Sequence, residues 1–423
     1  MSPVKRTRSA RRPQAPGGPF NVIVISFDTL RRDYLGAYGY PKQVSPTLDA
    51  LAAQGVRFKD AVVNCGWTLP QHMTLLTGLA PIKHGLVYLR LDCHLPARFR
   101  PLAEVFRDNG YLTFGLANQN GFGGSWAYGF ARGFRSYTDL FPTNNGLELV
   151  VEPARQCLRL AGSRPFFMYL HANDTHEPFA ANEPWGSKWG SSYQNRYEGQ
   201  ISYVDHYFGL ILEELRRLGQ AERTLIVATS DHGTEFQEHG FLEKKLNLYE
   251  EIARIPLVMA LPGVLPVGKA VPGLCQTQDI APTILDICAL PLPPEMDGRS
   301  LLPRIRGKKD PAPEVVFAHT LHEKLYKYEH FSARSARYKL IRTVPLAAKF
   351  DKLLGDAGER FARLGEVAQF KRGGWRELYD LQRDPGEQRN IIAEEPQLAR
   401  DLERKLDAWI RRHGYRPRKS RLM

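Results

Sequence analysis

Two apolar runs far apart in the chain end on side chains that can hold a metal ion. NVIVISF runs into Asp28, and TLIVATS runs into the adjacent pair Asp231 and His232. Unbroken series of β-branched and aliphatic residues read as strands buried on both faces. In open α/β sheets such strands deliver their terminal side chains to the carboxyl edge, where sites form. The two strands therefore aim Asp28, Asp231 and His232 at one point. Two carboxylates and an imidazole make a hard-to-borderline donor set, suited to one divalent ion: Mn, Zn, Ca or Mg. An acid at a strand end can instead cap the helix that follows. The adjacent pair together with Asp28 favours the metal.

The rest of the chain supports that placement. From Asn21 to about Leu302, strand-like runs (NVIVISF, LTFGLA, FFMYLHA, TLIVATS, IPLVMAL) alternate with amphipathic helical stretches such as SPTLDALAAQG and YVDHYFGLILEELRRLG. This alternation predicts an α/β fold, a central mostly parallel sheet sandwiched by helices. After DGRSLLPRIRGKKDPAPE the texture changes. EVVFAHTL, HFSARSARYKLIRT and RELYDLQ lead to the helical PQLARDLERKLDAWIRR, which predicts a small antiparallel sheet closed by a helix. The expected divisions are a basic flexible tail over 1–18, a catalytic domain over 19–310, a C-terminal subdomain over 311–412 and a second basic tail over 413–423.

The formal charge of +13 is concentrated in those two ends. Solvated tails need no partner, and no basic stretch interleaved with aromatics points to specific nucleic-acid binding. Arg11 and Arg12 are not followed by a signal-type apolar segment, and no run approaches membrane-spanning length, so the chain reads as cytoplasmic. Cys65, Cys93, Cys157, Cys275 and Cys288 form an odd set without a CxxC pair, which fits reduced thiols. The oligomeric state is not legible.

In VVNCGWTLPQHMTLLTGL a short loop enters a helix with Thr68 at the cap position and Pro70 in the first turn. A hydroxyl there faces free backbone N–H groups and the positive end of the helix dipole, where an anionic ester is favoured. A divalent ion beside it would lower its pKa enough to make it a nucleophile. Capping alone also explains a threonine at this place.

Four strings carry a family resemblance: FDTLRRDYLGAYGYPKQVSPTLDALAAQGVRF, WTLPQHMTLLTGLAPIKHGL, SDHGTEFQEHG with LYEEIARIPLV, and DIAPTILDICALPLPPEMDGRSLLP. Together they resemble the sulfatase branch of the alkaline phosphatase superfamily, over roughly Asn21 to Leu302 and on through LYDLQRDPGEQRNI. The resemblance implies Asp28, Thr68, Asp231 and His232 around one metal, with Thr68 as the nucleophile. Sulfatases of the ordinary type carry Cys-X-Pro-X-Arg here, the cysteine becoming formylglycine. This chain has Thr68-Leu69-Pro70-Gln71-His72, and Cys65 lies three positions too early to serve. A formylglycine hydrate releases sulfate by collapsing to an aldehyde, which threonine cannot do. Threonine relatives such as the lipoteichoic acid synthases and phosphoethanolamine transferases are phosphotransferases.

The resemblance also implies supporting residues. His176 in HANDTHEPF is expected to protonate the leaving oxygen or bind the anion, with His171 and Asp174 as further candidates. Lys244 or Lys245 is expected to hold the anionic oxygens as a point charge. Lys244 stands where a histidine would complete a second metal at the same centre, so one ion is expected there. His239 is a candidate contact to substrate or metal. Asn118 and Asn120 stand where sulfatases place a lysine and a histidine, giving uncharged donors to the substrate. The expected activity is metal-dependent hydrolysis or transfer of a small anionic phosphoester (diester, phosphonate ester or activated monoester) through a phospho-threonine. The alternatives are a sulfatase that uses threonine directly and a catalytically inactive anion-binding member.

Overall fold

The computed structural model describes residues 18–87, 93–117, 128–139, 146–180, 182–244, 247–321, 328–345 and 375–415. Eight of its strands form one sheet: β1 (Asn21–Phe27), β2 (Val56–Val62), β3 (Leu112–Ala117), β4 (Ser136–Asp139), β5 (Phe166–Ala172), β6 (Thr224–Ser230), β7 (Leu257–Ala260) and β8 (Lys269–Gln276). Their order is β4-β3-β5-β1-β6-β7-β2-β8. All neighbours run parallel except β7, which is antiparallel to both β6 and β2. The fold is the predicted one.

β1 lies between β5 and β6, and every residue of it is buried. Alternation sends Val22 and Val24 into one core and Ile23, Ile25 and Phe27 into the other. The first core is shared with the helix α2 (Thr68–Thr77); the second is covered by α1 (Pro46–Gln54) and the helices Gly146–Ala161 and Tyr193–Arg217. A strand buried on both faces has no polar side to show, which is why NVIVISF reads as a continuous apolar run.

The remaining strands, β9 (Val315–Leu321), β10 (Tyr328–Ser335), β11 (Tyr338–Pro345) and β12 (Trp375–Asp380), form an antiparallel meander. The helix Pro396–Arg412 closes it, burying Ala399, Leu402, Leu406 and Ile410 at helical spacing against Phe331, Leu340 and Leu378. Ala80 and Ile82 join the same core from the first sheet's side.

Polar contacts fasten the two sheets together around Glu250. Its carboxylate accepts a two-pronged bond from Arg334, Nε at 3.0 Å and Nη2 at 2.9 Å, and a third from Lys339 Nζ at 3.0 Å. Lys339 also pairs with Glu387, and the backbone N–H of Glu250 donates to that carboxylate at 2.6 Å. All four side chains are buried. Removing one member of such a network strands a desolvated charge, at a cost of about 3–5 kcal/mol. Arg334→Met is therefore expected to lower unfolding stability by about that amount in denaturant titration. A loss below about 1 kcal/mol, as for an exposed pair, would refute the fastening role.

Candidate functional site

The register of the central strands decides where the site lies. Phe27 pairs with Ser230 across β1 and β6, so Asp28 and Asp231 are the next residues out on neighbouring strands. Ser26 pairs with His171 across β1 and β5, which brings that imidazole to the same edge. Asp28 and Asp231 are each 1% exposed and His171 and His232 are fully buried.

Thr68 is the first residue of α2, with Trp67 as the cap residue and no side-chain capping bond. Contrary to the capping reading, its hydroxyl turns away from the helix amides into the strand edge. Thr68 Oγ1 donates to Asp28 Oδ2 at 3.3 Å and lies 3.2 Å from His232 Nε2 and 3.4 Å from Lys244 Nζ. His232 Nδ1 faces the carbonyl of Gly233 at 2.8 Å. That contact assigns the proton to Nδ1 and leaves the Nε2 lone pair facing the centre.

Two like charges side by side in a buried edge need neutralising. Burial alone would raise Asp28, but Lys244 and then His176, His171 and His232 outweigh it and hold the carboxyl well below the usual range. Burial and Asp28 push Asp231 up, and His232 and His72 bring it below its ordinary value. Burial, with Lys244 adding to it, lowers His232 despite the two carboxylates, so the imidazole is held neutral, the form that ligates. Asp231 Oδ1 accepts the N–H groups of Thr29 and His232, at 3.1 and 2.8 Å. Asp231 Oδ2 and Asp28 Oδ1, however, have no hydrogen-bond partner although both are buried. One ligand atom each from Asp28, Asp231 and His232 lies within 4.8 Å of the others. Orphaned carboxylate oxygens facing an imidazole lone pair are what a divalent cation satisfies, so these residues fit the expected ion.

The supporting candidates divide. Lys244 Nζ approaches to 3.7 Å from Asp28 Oδ1, while Lys245, Asn118 and Asn120 lie outside the described residues. His171 Nε2 stands 3.7 Å from Asp28 Oδ2, and burial followed by the neighbouring His72 lowers its pKa. His176 is half-buried, and its Nδ1 lies 2.6 Å from the Glu177 carbonyl. Asp174 needs correction as a substrate contact. Its carboxylate accepts from Gly146 N at 2.9 Å and Leu147 N at 3.1 Å, capping the helix Gly146–Ala161, and burial pushes it up to about 6. His239 stacks on Tyr249 at 3.7 Å, and its Nε2 faces Glu251. His319 is buried against Glu329 and has a structural place in the second sheet.

Three residues at the site carried no assignment from the sequence. His72 is fully buried, with Nε2 3.5 Å from Asp231 Oδ2 and Nδ1 2.6 Å from the Tyr169 hydroxyl. It sits one turn after Thr68 on the same helix face, a spacing that could have flagged it. Gln71 Oε1 accepts the N–H groups of Asn64 and Cys65 at 3.3 and 3.1 Å, and Thr320 Oγ1 accepts that of Gly66 at 2.7 Å. Together they brace the loop that delivers Thr68. Cys65 bonds Thr320, and burial drives its thiol up to about 12, which fits an inert structural residue.

Comparison with known proteins places these residues in a wider group. Residues 20–289 match the family model named Sulfatase, and residues 237–353 match that of the N-sulphoglucosamine sulphohydrolase C-terminal region. The chain is 24% identical over 449 residues to the Delta 4,5-hexuronate-2-O-sulfatase of Bacteroides thetaiotaomicron, covering 90% of this chain and 86% of that one. Against human Arylsulfatase A the figures are 25% identity, 88% and 83%. The crystal structure of the Phosphonate Monoester Hydrolase of Agrobacterium radiobacter superposes with a TM-score of 0.74 at 21% identity, covering 93% of this chain and 96% of that one.

An imidazole that orients a ligand carboxylate from behind typically governs metal affinity by 10- to 100-fold. His72→Ala is expected to lower metal retention by about that factor, read as bound metal after dialysis against a weak chelator. Retention equal to the parent protein would remove His72 from the site.

Proposed function

This chain belongs to the sulfatase family, and we propose that it hydrolyses an anionic ester with Thr68 as the nucleophile at a single divalent ion, the ester being a phosphoester. The hydroxyl of Thr68 against Asp28 and His232 carries this reading. A cation held by Asp28, Asp231 and His232 would acidify that hydroxyl and screen the charge on the ester oxygens.

This chain's own residues supply the rest. Lys244, 3.4 Å from Thr68 Oγ1, orients the anion as a point charge. Thr68 Oγ1 attacks phosphorus, losing the proton it shares with Asp28, and the bond to the alcohol oxygen breaks. His176 gives the departing oxygen its proton from Nε2, its Nδ1 being engaged with the Glu177 carbonyl. His171 is buried and held neutral beside Asp28, which suits it to shape that carboxylate instead. Water then attacks phosphorus and gives a proton to His176, the bond to Thr68 breaks, and Thr68 Oγ1 recovers its proton from Asp28.

The relatives' names support a second reading, a sulfuric ester hydrolase that uses threonine without formylglycine; the phosphonate monoester hydrolase among similar structures accords with the first. The side chain at position 68 decides between them chemically. A sulfo-threonine lacks the aldehyde-forming exit open to formylglycine, whereas a phospho-threonine is cleaved by in-line attack of water.

Matched 4-nitrophenyl esters separate the readings. The parent protein is expected to turn over the phosphodiester or phosphonate ester at least tenfold faster than the sulfate, and to trap labelled phosphorus on Thr68 in a quenched reaction. Thr68→Ala is expected to abolish turnover while keeping its metal. Faster sulfate turnover, lost in the same variant, would establish the second reading. Turnover undiminished in Thr68→Ala would refute both.

A further inference from the structure

Away from the Thr68 centre, a second group of ligand-type side chains converges where the two sheets meet. His239 lies in the loop after β6, Glu251 in the short helix Glu250–Ala253, and Glu387 in the turn after β12. One ligand atom from each lies within 4.8 Å of the others. His239 Nε2 and Glu251 Oε2 are buried and lack a hydrogen bond, and Glu387 Oε1 beside them meets Lys339 Nζ at 3.0 Å. The side chains of His239, Glu251 and Glu387 are only 3%, 9% and 0% exposed. Desolvated ligand atoms without hydrogen bonds are costly, and two that face each other beside a third buried carboxylate are rare unless something joins them.

We propose that His239, Glu251 and Glu387 form a second divalent-cation site that ties the C-terminal unit to the catalytic sheet. One imidazole and two carboxylates suit zinc or manganese, with water completing the shell. The stack on Tyr249, 3.7 Å between ring centres and 8° from parallel, fixes the imidazole plane, so its Nε2 is aimed before any ion arrives. The charge balance is favourable. Arg334 and Lys339 offset Glu250 and Glu387, and Glu251 faces His239, an imidazole that is neutral when it ligates.

The site also bears on the catalytic edge. A Cβ on Gly233 would meet the carbonyl oxygen of Glu251 at 1.8 Å, and Gly233 N donates to Ile252 O at 2.9 Å. The segment holding Glu251 thus backs the residue next to His232.

Metal analysis of the full-length protein after zinc loading and dialysis tests this. Two equivalents per chain are expected for the parent, one for Asp231→Asn and one for Glu387→Gln. Zinc is also expected to raise the melting temperature of Asp231→Asn by several degrees and to leave the Asp231→Asn/Glu387→Gln double variant unmoved. One equivalent in the parent with none in Asp231→Asn would overturn the proposal. The cluster would then be closed by Lys339 and a His239 proton shared with Glu251. Because the Asp231 variant removes the catalytic ion separately, failure of either site is distinguishable.

Discussion

The structure depends on one electrostatic problem, two carboxylates held side by side at a buried strand edge. Pairing β1 with β6 brings Asp28 and Asp231 together whatever else the chain does. In a low-dielectric edge their repulsion has to be met from the surroundings. Lys244, His72, His171 and His232 all lie close to one or both acids and supply most of what the described residues offer. The oxygens left without a hydrogen bond, Asp28 Oδ1 and Asp231 Oδ2, lie 3.8 and 3.3 Å from His232 Nε2. The same imbalance thus explains the site's position, its fit to a cation and the setting of the Thr68 hydroxyl.

Much of this was legible because buried parallel strands leave an unmistakable trace. β1, β3, β5 and β6 are unbroken apolar runs, and a run that ends on an acid marks the carboxyl edge. β2 and β8 were not read from the sequence. β2 alternates buried and exposed positions in VRFKDAV, and β8 lies at the sheet edge, where Pro272 and Gly273 are tolerated. The site divides in the same way. Asp28, Thr68, Asp231 and His232 sit at element ends, where local pattern announces them. Thr320 acts across a long chain separation from inside a regular element, where nothing local distinguishes it from core residues, and His72 is marked only by its helical spacing from Thr68. Asp174 shows the converse error: an acid in a loop full of ligand-type neighbours turns out to cap a helix whose start lies 28 positions upstream.

Membership of the family settles the scaffold but not the reaction, because the residue that defines the ordinary chemistry has been exchanged. His72 occupies the place of the family's arginine and is fully buried against Asp231. An imidazole there is smaller and less basic than a guanidinium, and it needs Tyr169 to fix its orientation. Both departures from the family's pattern, Thr68 and His72, fall within one helical turn.

The hydrogen bond from Gly66 to Thr320 has a consequence for biosynthesis. The loop that presents Thr68 emerges early from the ribosome, whereas the hydroxyl that braces it belongs to β9 and is made far later. Until that strand has been synthesised and docked, the entrance to α2 lacks one of its restraints. The strand edge that holds Asp28 and Asp231 can form once β6 is translated, before β9 supplies Thr320. Nascent chains therefore carry this loop braced by Gln71 before Thr320 joins it.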